Sequence, residues 1–334
     1  MWLALPLHAE TLRVAFYNVE LARQGPGILL RDLARDDPQI AAVISVVADL
    51  DADVLVLSGL DFDLNHAALT AFADRLARTG RRYPHRFALP PNSGIATGLD
   101  LDANGRTGEP RDAQGYGRFA GEGGLAVLSR LPIATDQARD FSAFLWRDLP
   151  GALLPDDMTE KARALQRLAS TAHWQVPISL PDGETLTLLI WHATPPVFDG
   201  PEDRNGRRNH DEAAFWLRLL DGTLPFTAPQ APFILIGQAN LDPLKGDGNA
   251  GALTALLTHP LIQDPAPQGA EGTATADFTA RGGPGPLRTD VILPSNGLTI
   301  TATGVDWPAT GDPRAATVAA ASRHRPVWVD IAVP

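Results

Sequence analysis

The stretch that constrains the fold most is residues 232–243, which reads PFILIGQANLDP. A continuous apolar run from Phe233 to Ile236 stops at a glycine and is followed at once by amides and a carboxylate. A run of this kind predicts a strand that is buried on both faces, as in a sheet covered by helices. Asn240 and Asp242 come just past the strand end, where they predict a functional site. An ordinary loop with an Asx turn accounts for the same pattern.

The same pattern recurs along the chain, with helix-like segments between the strands. Apolar strands that end in or near polar residues are predicted at residues 12–18, 53–57, 186–192 and 288–293. Between the first two, Asp37 and Pro38 are typical of a helix start, and apolar residues follow at helical spacing. The alternation of strands and helices predicts a mixed α/β fold, and no linker divides it. We therefore expect a single domain over residues 10–334.

Charge and residue types restrict the ligands. A formal net charge of -11 opposes binding to a polyanion, so long nucleic acid is not an expected partner. The chain contains no cysteine, which excludes disulfides and leaves any metal to Asp, Glu, Asn and His. No surface can be assigned to a partner, so the sequence predicts no oligomeric state.

The first residues carry information about the compartment. The apolar stretch 2–9, WLALPLHA, ends in a small residue just before Glu10 and resembles the end of a secretory signal peptide. We interpret residues 1–9 as a signal-peptide remnant, which predicts a periplasmic or secreted protein; a disordered or packed extension is the alternative. No other segment approaches the ~20 apolar residues needed to cross a bilayer, so no integral membrane segment is expected.

One polar segment shows a ligand pattern in place of apolar periodicity. Asp100, Asp102 and Asn104 lie at alternate positions and are followed by Gly105, as at the start of a calcium-binding loop. The glutamate that usually closes such a loop is absent, but Asp112 lies close enough to complete a looser one. The pattern predicts structural calcium at Asp100, Asp102, Asn104 and Asp112. A surface loop that binds nothing is the alternative.

Polar residues also occur in a distinctive order along the chain. The order is Asn18, carboxylates after Leu57, the stretch GGLAVLSR, His192, GQAN, Asp290 and Ser322-Arg323-His324. This ordered set resembles the endonuclease/exonuclease/phosphatase superfamily, which includes deoxyribonucleases of the pancreatic type, bacterial sphingomyelinases and inositol polyphosphate 5-phosphatases. The resemblance covers most of residues 12–333. It implies a deoxyribonuclease-like, four-layered α/β sandwich, in which two mixed β-sheets are flanked by helices, with a metal-dependent phosphoesterase site at one edge.

The resemblance implies roles for individual residues. His192 is expected to contact the phosphate and Asn240 to stabilise the transition state, while Asp290 orients His324, which stabilises or protonates the phosphoryl group. These four are the expected catalytic residues. With two arginines of the charged segment 198–212 included, the expected contacts to a small phosphorylated or anionic substrate are Arg323, Arg207, Arg208 and Gln238. The expected ligands of a divalent cation, Mg²⁺ or Mn²⁺, are Asn18, Asp61, Glu20 and Asp63.

Three positions that are acidic in the superfamily are not acidic here. The main glutamate ligand corresponds to Gly59, the aspartate that orients the attacking water to Gln238, and another metal-side aspartate to Arg323. Three interpretations follow. In the first, the chain is a secreted phosphoesterase for a small or lipid phosphate ester, with a displaced carboxylate and an altered metal site. In the second, it is an impaired homologue that binds a phosphorylated or anionic ligand without turnover. In the third, it is a structural or interaction protein stabilised by calcium.

Overall fold

The computed structural model describes residues 10–333, without the side chains of Glu10 and Arg281. The expected signal-peptide remnant therefore lies outside the described residues. A six-stranded sheet contains, in spatial order, β12 (Ile300–Val305), β13 (Val327–Val333), β1 (Glu10–Asn18), β2 (Val54–Leu60), β4 (Gly124–Ser129) and β3 (His85–Phe87). In this sheet β1 and β2 are parallel, and the other neighbours are antiparallel.

A second sheet has five strands. Their spatial order is β11 (Asp290–Pro294), β8 (Phe233–Gln238), β7 (Thr185–His192), β6 (Ala172–Ser179) and β5 (Arg139–Asp140). Here β7 and β8 are parallel, and the other neighbours are antiparallel. A separate two-stranded ribbon pairs β9 (Ala276–Asp277) with β10 (Pro286–Leu287). Both large sheets are therefore mixed.

Helices cover the outer faces of both sheets. Against the first sheet pack α1 (Ile28–Leu33), α2 (Pro38–Leu50), α3 (Ala67–Arg78) and α7 (Ala315–Ala321). Against the second pack α5 (Arg204–Leu220) and α6 (Gly251–Leu257), while α4 (Glu160–Leu165) is a short helix before β6. The predicted start of α2 is confirmed, because Asp37 accepts a hydrogen bond from the Ile40 amide (2.9 Å) and Pro38 opens the helix. None of the helices in residues 10–333 is both long and apolar enough to cross a membrane.

The core consists of three apolar clusters, one between the sheets and one on each outer face. Between the sheets, Phe16 and Val56 of the first sheet belong to the same cluster as Trp174, Ile190 and Ile236 of the second. Alternate residues of the strands face outward into the helical layers, as the period of two in a strand requires. This arrangement confirms the four-layered α/β sandwich.

Two segments differ from their sequence-based predictions. Apolar spacing over residues 156–170 predicts a helix, but the helix ends at Leu165 because Gln166 and Arg167 are extended and hydrogen-bonded to Gln114. Only the first half of the charged segment 198–212 is an exposed loop, since α5 already begins at Arg204. Helix formation here buries charged side chains that a sequence pattern places in solvent.

Candidate active site at the carboxyl edge of the sheets

The carboxyl ends of the two parallel strand pairs meet at one edge of the molecule. From β1, the side-chain amide of Asn18 donates to Oε1 of Gln238 at the end of β8 (2.6 Å). From β2, Ser58 Oγ lies 2.6 Å from Nδ1 of His192 at the end of β7. These contacts join the two sheets. We call the surface formed by Asn18, Ser58, His192, Gln238 and Asn240 the carboxyl edge.

Three side-chain amides form a directional chain of hydrogen bonds across this edge. The Glu20 backbone amide donates to Asn18 Oδ1 (3.0 Å), Asn18 donates to Gln238, Gln238 Nε2 donates to Asn240 Oδ1 (2.5 Å), and Asn240 Nδ2 donates to the Ala193 carbonyl (2.7 Å). A backbone donor at one end and a backbone acceptor at the other determine how each amide is oriented. The network is neutral, and the oxygens of all three amides are already used.

His192 is part of this network as a neutral imidazole. Its Nε2 lies 3.3 Å from Asn240 Nδ2, which must donate, so the proton of the ring is on Nδ1 and is donated to Ser58. Burial, followed by the nearby His324, lowers the pKa of His192 to about 3. His192 is therefore uncharged at neutral pH.

Asp290 and His324 form a buried pair beside this network. His324 Nδ1 donates to Asp290 Oδ2 at 2.9 Å, and the two residues are 3% and 2% exposed, respectively. The hydroxyl of Thr289 donates to the same carboxylate oxygen (3.2 Å), and the ring of Phe278 packs edge-on against His324 with centroids 5.7 Å apart. Among the described residues, the His324 ring is hydrogen-bonded through Nδ1 and not through Nε2, and the second oxygen of Asp290, Oδ1, is buried without a partner. The Nε2 nitrogen is thus left for a ligand.

Glu20 is paired with Arg323 at the same edge. Glu20 Oε1 accepts from Nε (2.8 Å) and Nη2 (2.5 Å) of Arg323, and Oε2 accepts from the Arg323 backbone amide (2.7 Å) and from Ser322 Oγ (3.1 Å). Burial raises the pKa of Glu20, but the hydrogen bonds of Arg323 and the nearby charges outweigh it and hold that pKa below its ordinary value. The side chain of Arg323 is 59% exposed, and its guanidinium also lies over the Phe278 ring. The Glu20 carboxylate is therefore already neutralised by an arginine, as the Asp290 carboxylate is engaged by His324.

The other predicted metal ligands have partners in the backbone. Asp61 accepts from the amides of Arg23 (2.9 Å) and Gly123 (3.0 Å), and burial raises its pKa to about 6. Asp63 accepts from the Ala68 amide with both oxygens (3.2 and 3.0 Å) at the start of α3. The structure does not bring Glu20, Asp61 and Asp63 within ligand distance of one another.

Gly59 shows why the superfamily's glutamate has no place here. Its φ of +70° lies in the left-handed region, and an added Cβ would lie 2.4 Å from Asn18 Oδ1 and 3.0 Å from the Glu20 nitrogen. A hard divalent cation prefers several carboxylate oxygens. At the carboxyl edge the amides are neutral, Glu20 is paired with Arg323 and Asp290 is paired with His324, so these residues do not fit such an ion.

Of the predicted phosphate contacts, only Arg323 and Gln238 lie at the carboxyl edge. The guanidinium of Arg208 is buried on α5 and donates to backbone carbonyls, among them those of Leu168 (2.8 Å) and Gln114 (2.6 Å). Burial lowers the pKa of Arg208 to about 10, so it stays charged at neutral pH. Arg207 is half-buried on the same helix and makes no side-chain hydrogen bond within residues 10–333.

The predicted calcium loop does bring its carboxylates together. Oxygens of Asp100, Asp102 and Asp112 lie within 4.8 Å of one another, in the one cluster of this kind found among the described residues. Asn104 donates its amide to Asp102 (3.1 Å) and Glu109 (2.6 Å), while Asp112 accepts from the amides of Leu101 and Glu109. The acidic triad could hold a metal ion.

Sequence reasoning missed several residues of the site. Ser58 is not among the expected site residues, yet its hydroxyl is the partner of His192. Phe278 lies in a Gly- and Pro-rich stretch without periodicity, and Ala276 in that stretch forms a β-bridge with His324. No local signal marks these contacts, because they arise only when distant segments pack.

The comparisons with known proteins agree with this geometry. The family model for the endonuclease/exonuclease/phosphatase family matches residues 15–324. Solved structures of similar fold include an endonuclease/exonuclease/phosphatase from Beutenbergia cavernae (16% identity, 97% of this chain and 72% of that chain, TM-score 0.58). They also include sphingomyelinase C from Streptomyces griseocarneus (15% identity, 96% of this chain and 99% of that chain, TM-score 0.54). A third is a mannosyl-6-phosphatase from Bacteroides thetaiotaomicron (15% identity, 96% of this chain and 99% of that chain, TM-score 0.53).

These structural likenesses show the fold alone, because the sequence identities are low. No curated protein matches the chain by sequence. The family model, in contrast, spans most of the chain and reaches from β1 to His324. The protein belongs to the endonuclease/exonuclease/phosphatase family.

Proposed function

We propose that this protein is a phosphoesterase that hydrolyses a small or lipid phosphate ester at the carboxyl edge. The observation that carries the proposal is the buried Asp290–His324 pair, with the exposed side chain of Arg323, the preceding residue, packed on the same Phe278 ring as His324. Membership of the family supports phosphoesterase chemistry. The names of two structural neighbours, a sphingomyelinase and a mannosyl-6-phosphatase, agree with this substrate class.

His324 has the geometry of a general acid and base. Asp290 accepts a hydrogen bond from the Nδ1–H group of His324. The ring proton therefore stays on Nδ1, and Nε2 can take a proton from an attacking water molecule. A P–O bond then forms to the water oxygen while the ester P–O bond breaks, and the proton on His324 passes to the departing alkoxide. The imidazolium is stabilised by the Asp290 carboxylate.

Arg323 supplies positive charge for the phosphoryl oxygens. Glu20 holds Nε and Nη2 of the guanidinium, whereas Nη1 makes no hydrogen bond within residues 10–333 and remains available to an anion. Asn240 adds a second donor when its long 3.3 Å contact to His192 is released. Hydrogen bonds between a guanidinium and a phosphate are charge-assisted and therefore strong.

No step of this reaction is assigned to a metal ion. The superfamily resemblance implies Mg²⁺ or Mn²⁺, but the donors at the carboxyl edge do not fit a hard cation. We therefore expect hydrolysis of bis-p-nitrophenyl phosphate or p-nitrophenyl phosphate by the full chain to continue in EDTA. His324→Ala should lower kcat at least about 100-fold, the usual contribution of a general acid or base.

The control for this test is His210→Ala, which removes a half-buried histidine of α5 that is not part of the carboxyl edge. Activity that vanishes in EDTA, or that persists in His324→Ala, contradicts the proposed reaction.

A second candidate function is binding of a phosphorylated or anionic ligand without turnover. It is favoured by Gln238, which replaces the superfamily's water-orienting aspartate and is fully used in the amide chain. Calorimetric titration with p-nitrophenyl phosphate distinguishes the two. Saturable binding that is lost in Arg323→Ala, without release of p-nitrophenol, supports the binding function and contradicts hydrolysis.

The compartment and the calcium loop stay predictions. Export to the periplasm or exterior rests on residues 2–9, and mass spectrometry of the protein recovered from producing cells should find a chain that begins at Glu10.

For the predicted calcium loop, added Ca²⁺ should raise the Tm of the wild type, because a ligand that binds only the folded state stabilises it. Asp100→Asn with Asp102→Asn should abolish the increase; an increase of equal size in this variant contradicts calcium binding there.

A further inference from the structure

Among the described residues, the three most exposed large apolar side chains stand on segments that leave the carboxyl edge. They are Leu244, Leu64 and Phe198, which are 91%, 84% and 78% exposed. Each follows an edge residue at the same distance along the chain: Leu64 follows Ser58, Phe198 follows His192 and Leu244 follows Gln238. Single exposed apolar residues are ordinary, but three on the loops around one site are not scattered at random.

The packing of the strands brings these loops to one face. Ser58 and His192 are in contact at 2.6 Å, and His192 pairs with Gln238 in the parallel register of β7 and β8. The chain therefore leaves all three strands on the same side of the sandwich. The loops form a rim around the carboxyl edge.

Each apolar side chain is held outward by a hydrogen-bonded turn built on an aspartate. Next to Leu64, Asp63 caps α3 through the Ala68 amide. Asp242 accepts from the amide of Leu244 itself (2.8 Å), and its other oxygen accepts from the buried amide of Arg288 (2.9 Å).

The loop of Phe198 is braced in the same way. Asp199, the next residue, accepts from the amide of Asn205 in α5, and the Asn205 side chain donates to the Val197 carbonyl (2.8 Å). Local hydrogen bonds thus keep an aromatic ring in water, although apolar side chains in flexible loops can turn inward.

An apolar groove continues from one of these side chains. It has a volume of about 360 Å³, and its walls include Leu29, Leu30, Phe62, Leu64 and Phe119. Asp61 and Asp63 also line it, but their carboxylates are hydrogen-bonded to backbone amides. Its apolar lining fits a hydrocarbon chain better than a polar ligand.

We propose that the carboxyl edge docks on a zwitterionic lipid surface, into which Leu64, Phe198 and Leu244 insert. Separate apolar side chains on braced polar loops suit the boundary between headgroups and acyl chains, whereas a protein interface requires a continuous, well-packed patch. The net charge of -11 opposes an anionic membrane, and this selects a neutral or zwitterionic surface. Docking in this orientation brings the phosphate of a lipid to His324 and Arg323.

The test is co-sedimentation of the full chain with phosphatidylcholine vesicles at 0.15 M salt, a concentration at which charge effects are partly screened. The variant combines Leu64→Ser, Phe198→Ser and Leu244→Ser. We expect the wild type to partition onto the vesicles and the triple variant to lose at least about tenfold in partitioning. Replacing part of the phosphatidylcholine with phosphatidylserine should weaken binding of the wild type.

Leu261→Ser is the matched control. Leu261 is 46% exposed and lies at the opposite end of the second sheet, where its carbonyl accepts from the Asn296 amide (2.9 Å) just after β11. This variant should bind vesicles like the wild type. Its failure to bind would point to a general loss of solubility or folding and would overturn the assignment to the rim.

Vesicle binding is measured without hydrolysis, so this proposal and the proposed phosphoesterase activity fail independently. A wild type that stays in the supernatant, or a triple variant that binds as well as the wild type, overturns the lipid-docking proposal. So does a triple variant whose main change is in oligomeric mass, since the rim would then be an interface between copies of the chain. Circular dichroism and activity on p-nitrophenyl phosphate should be the same in all variants.

Discussion

At the scale of single residues, a glycine and a carboxylate decide what the carboxyl edge can hold. The resemblance implies a metal-binding glutamate at the position of Gly59, and Asn18 fills the space that a side chain there would need. The Glu20 carboxylate is paired with Arg323. A change at either position alters both the packing and the charge of the site.

Gly59→Ala should lower the free energy of unfolding by about 2 to 5 kcal/mol. The left-handed backbone contributes roughly 1–2 kcal/mol and the contact with Asn18 about 1–3 kcal/mol. The control is Gly80→Ala at the end of α3, which has a φ of +89° but nothing within 4 Å of its Cβ, so only the backbone cost of about 1 kcal/mol applies. Urea unfolding measures both values. Equal losses in the two variants would mean that Asn18 yields to the new methyl group.

Asp61 predicts a pH-dependent stability. Burial raises its folded pKa to about 6 from 3.8, so between these pH values the folded state binds more protons than the unfolded state. The contribution of Asp61 to the free energy of unfolding is therefore most favourable below pH 3.8 and is lost as the pH rises to 6, by at most roughly 3 kcal/mol, a limit that solvent screening lowers. Unfolding curves from pH 4 to 7 should show this fall in the wild type relative to Asp61→Asn. A difference between the two that does not change with pH would mean that the two backbone amides keep this carboxylate charged.

At the scale of elements, helix α5 shows how a charged segment becomes part of the core. Glu212 accepts from the amide and hydroxyl of Ser170 (2.6 and 2.8 Å) and from the Thr194 amide (2.7 Å), and burial raises its pKa to about 7. Thr194 follows β7, so this carboxylate supports the loop that carries Phe198. Polar residues of α5 thus hold loops of the site in place without reaching the site themselves.

Arg208→Met should lower the free energy of unfolding by about 3 kcal/mol or more. The substitution keeps most of the apolar side chain but leaves buried carbonyls such as those of Leu168 and Gln114 without a donor. Arg207→Met, one residue earlier on the same helix, should change stability by no more than about 0.5 kcal/mol, because Arg207 makes no side-chain hydrogen bond among the described residues. Urea unfolding compares the two. A similar effect of both substitutions would show that the buried carbonyls find other donors.

At the scale of the whole molecule, the site exists because two sheets pack face to face. The inner cluster aligns β1 and β2 with β7 and β8, and the polar residues that end these strands then meet across the gap between the sheets. Apolar runs and their polar ends are visible in the sequence, and they predict the strands, the fold class and the positions of Asn18, His192, Gln238 and Asn240. The family resemblance implies the pairing of Asp290 with His324, which the structure shows at 2.9 Å.

The partners of charged side chains are not visible in the sequence. Asp61 and Asp63 have the residue type and the spacing of metal ligands, but turns after β2 direct their oxygens to backbone amides. Arg208 resembles a phosphate contact, but the helical period places it on the buried face of α5.

The sequence by itself determined the strands, their order and the polar residues at their ends, because apolar periodicity and strand-end chemistry are local properties of the chain. Tertiary structure alone decided which polar groups neutralise one another. Glu20 and Arg323 are separated by nearly the whole chain, and Asn18 and Gln238 are separated by most of it. The members of each pair come into contact only when β1 pairs with β13 and the two sheets pack together. The state of this site therefore depends on the long-range packing that closes the sandwich, since hydrogen bonds and ion pairs act only at contact distance.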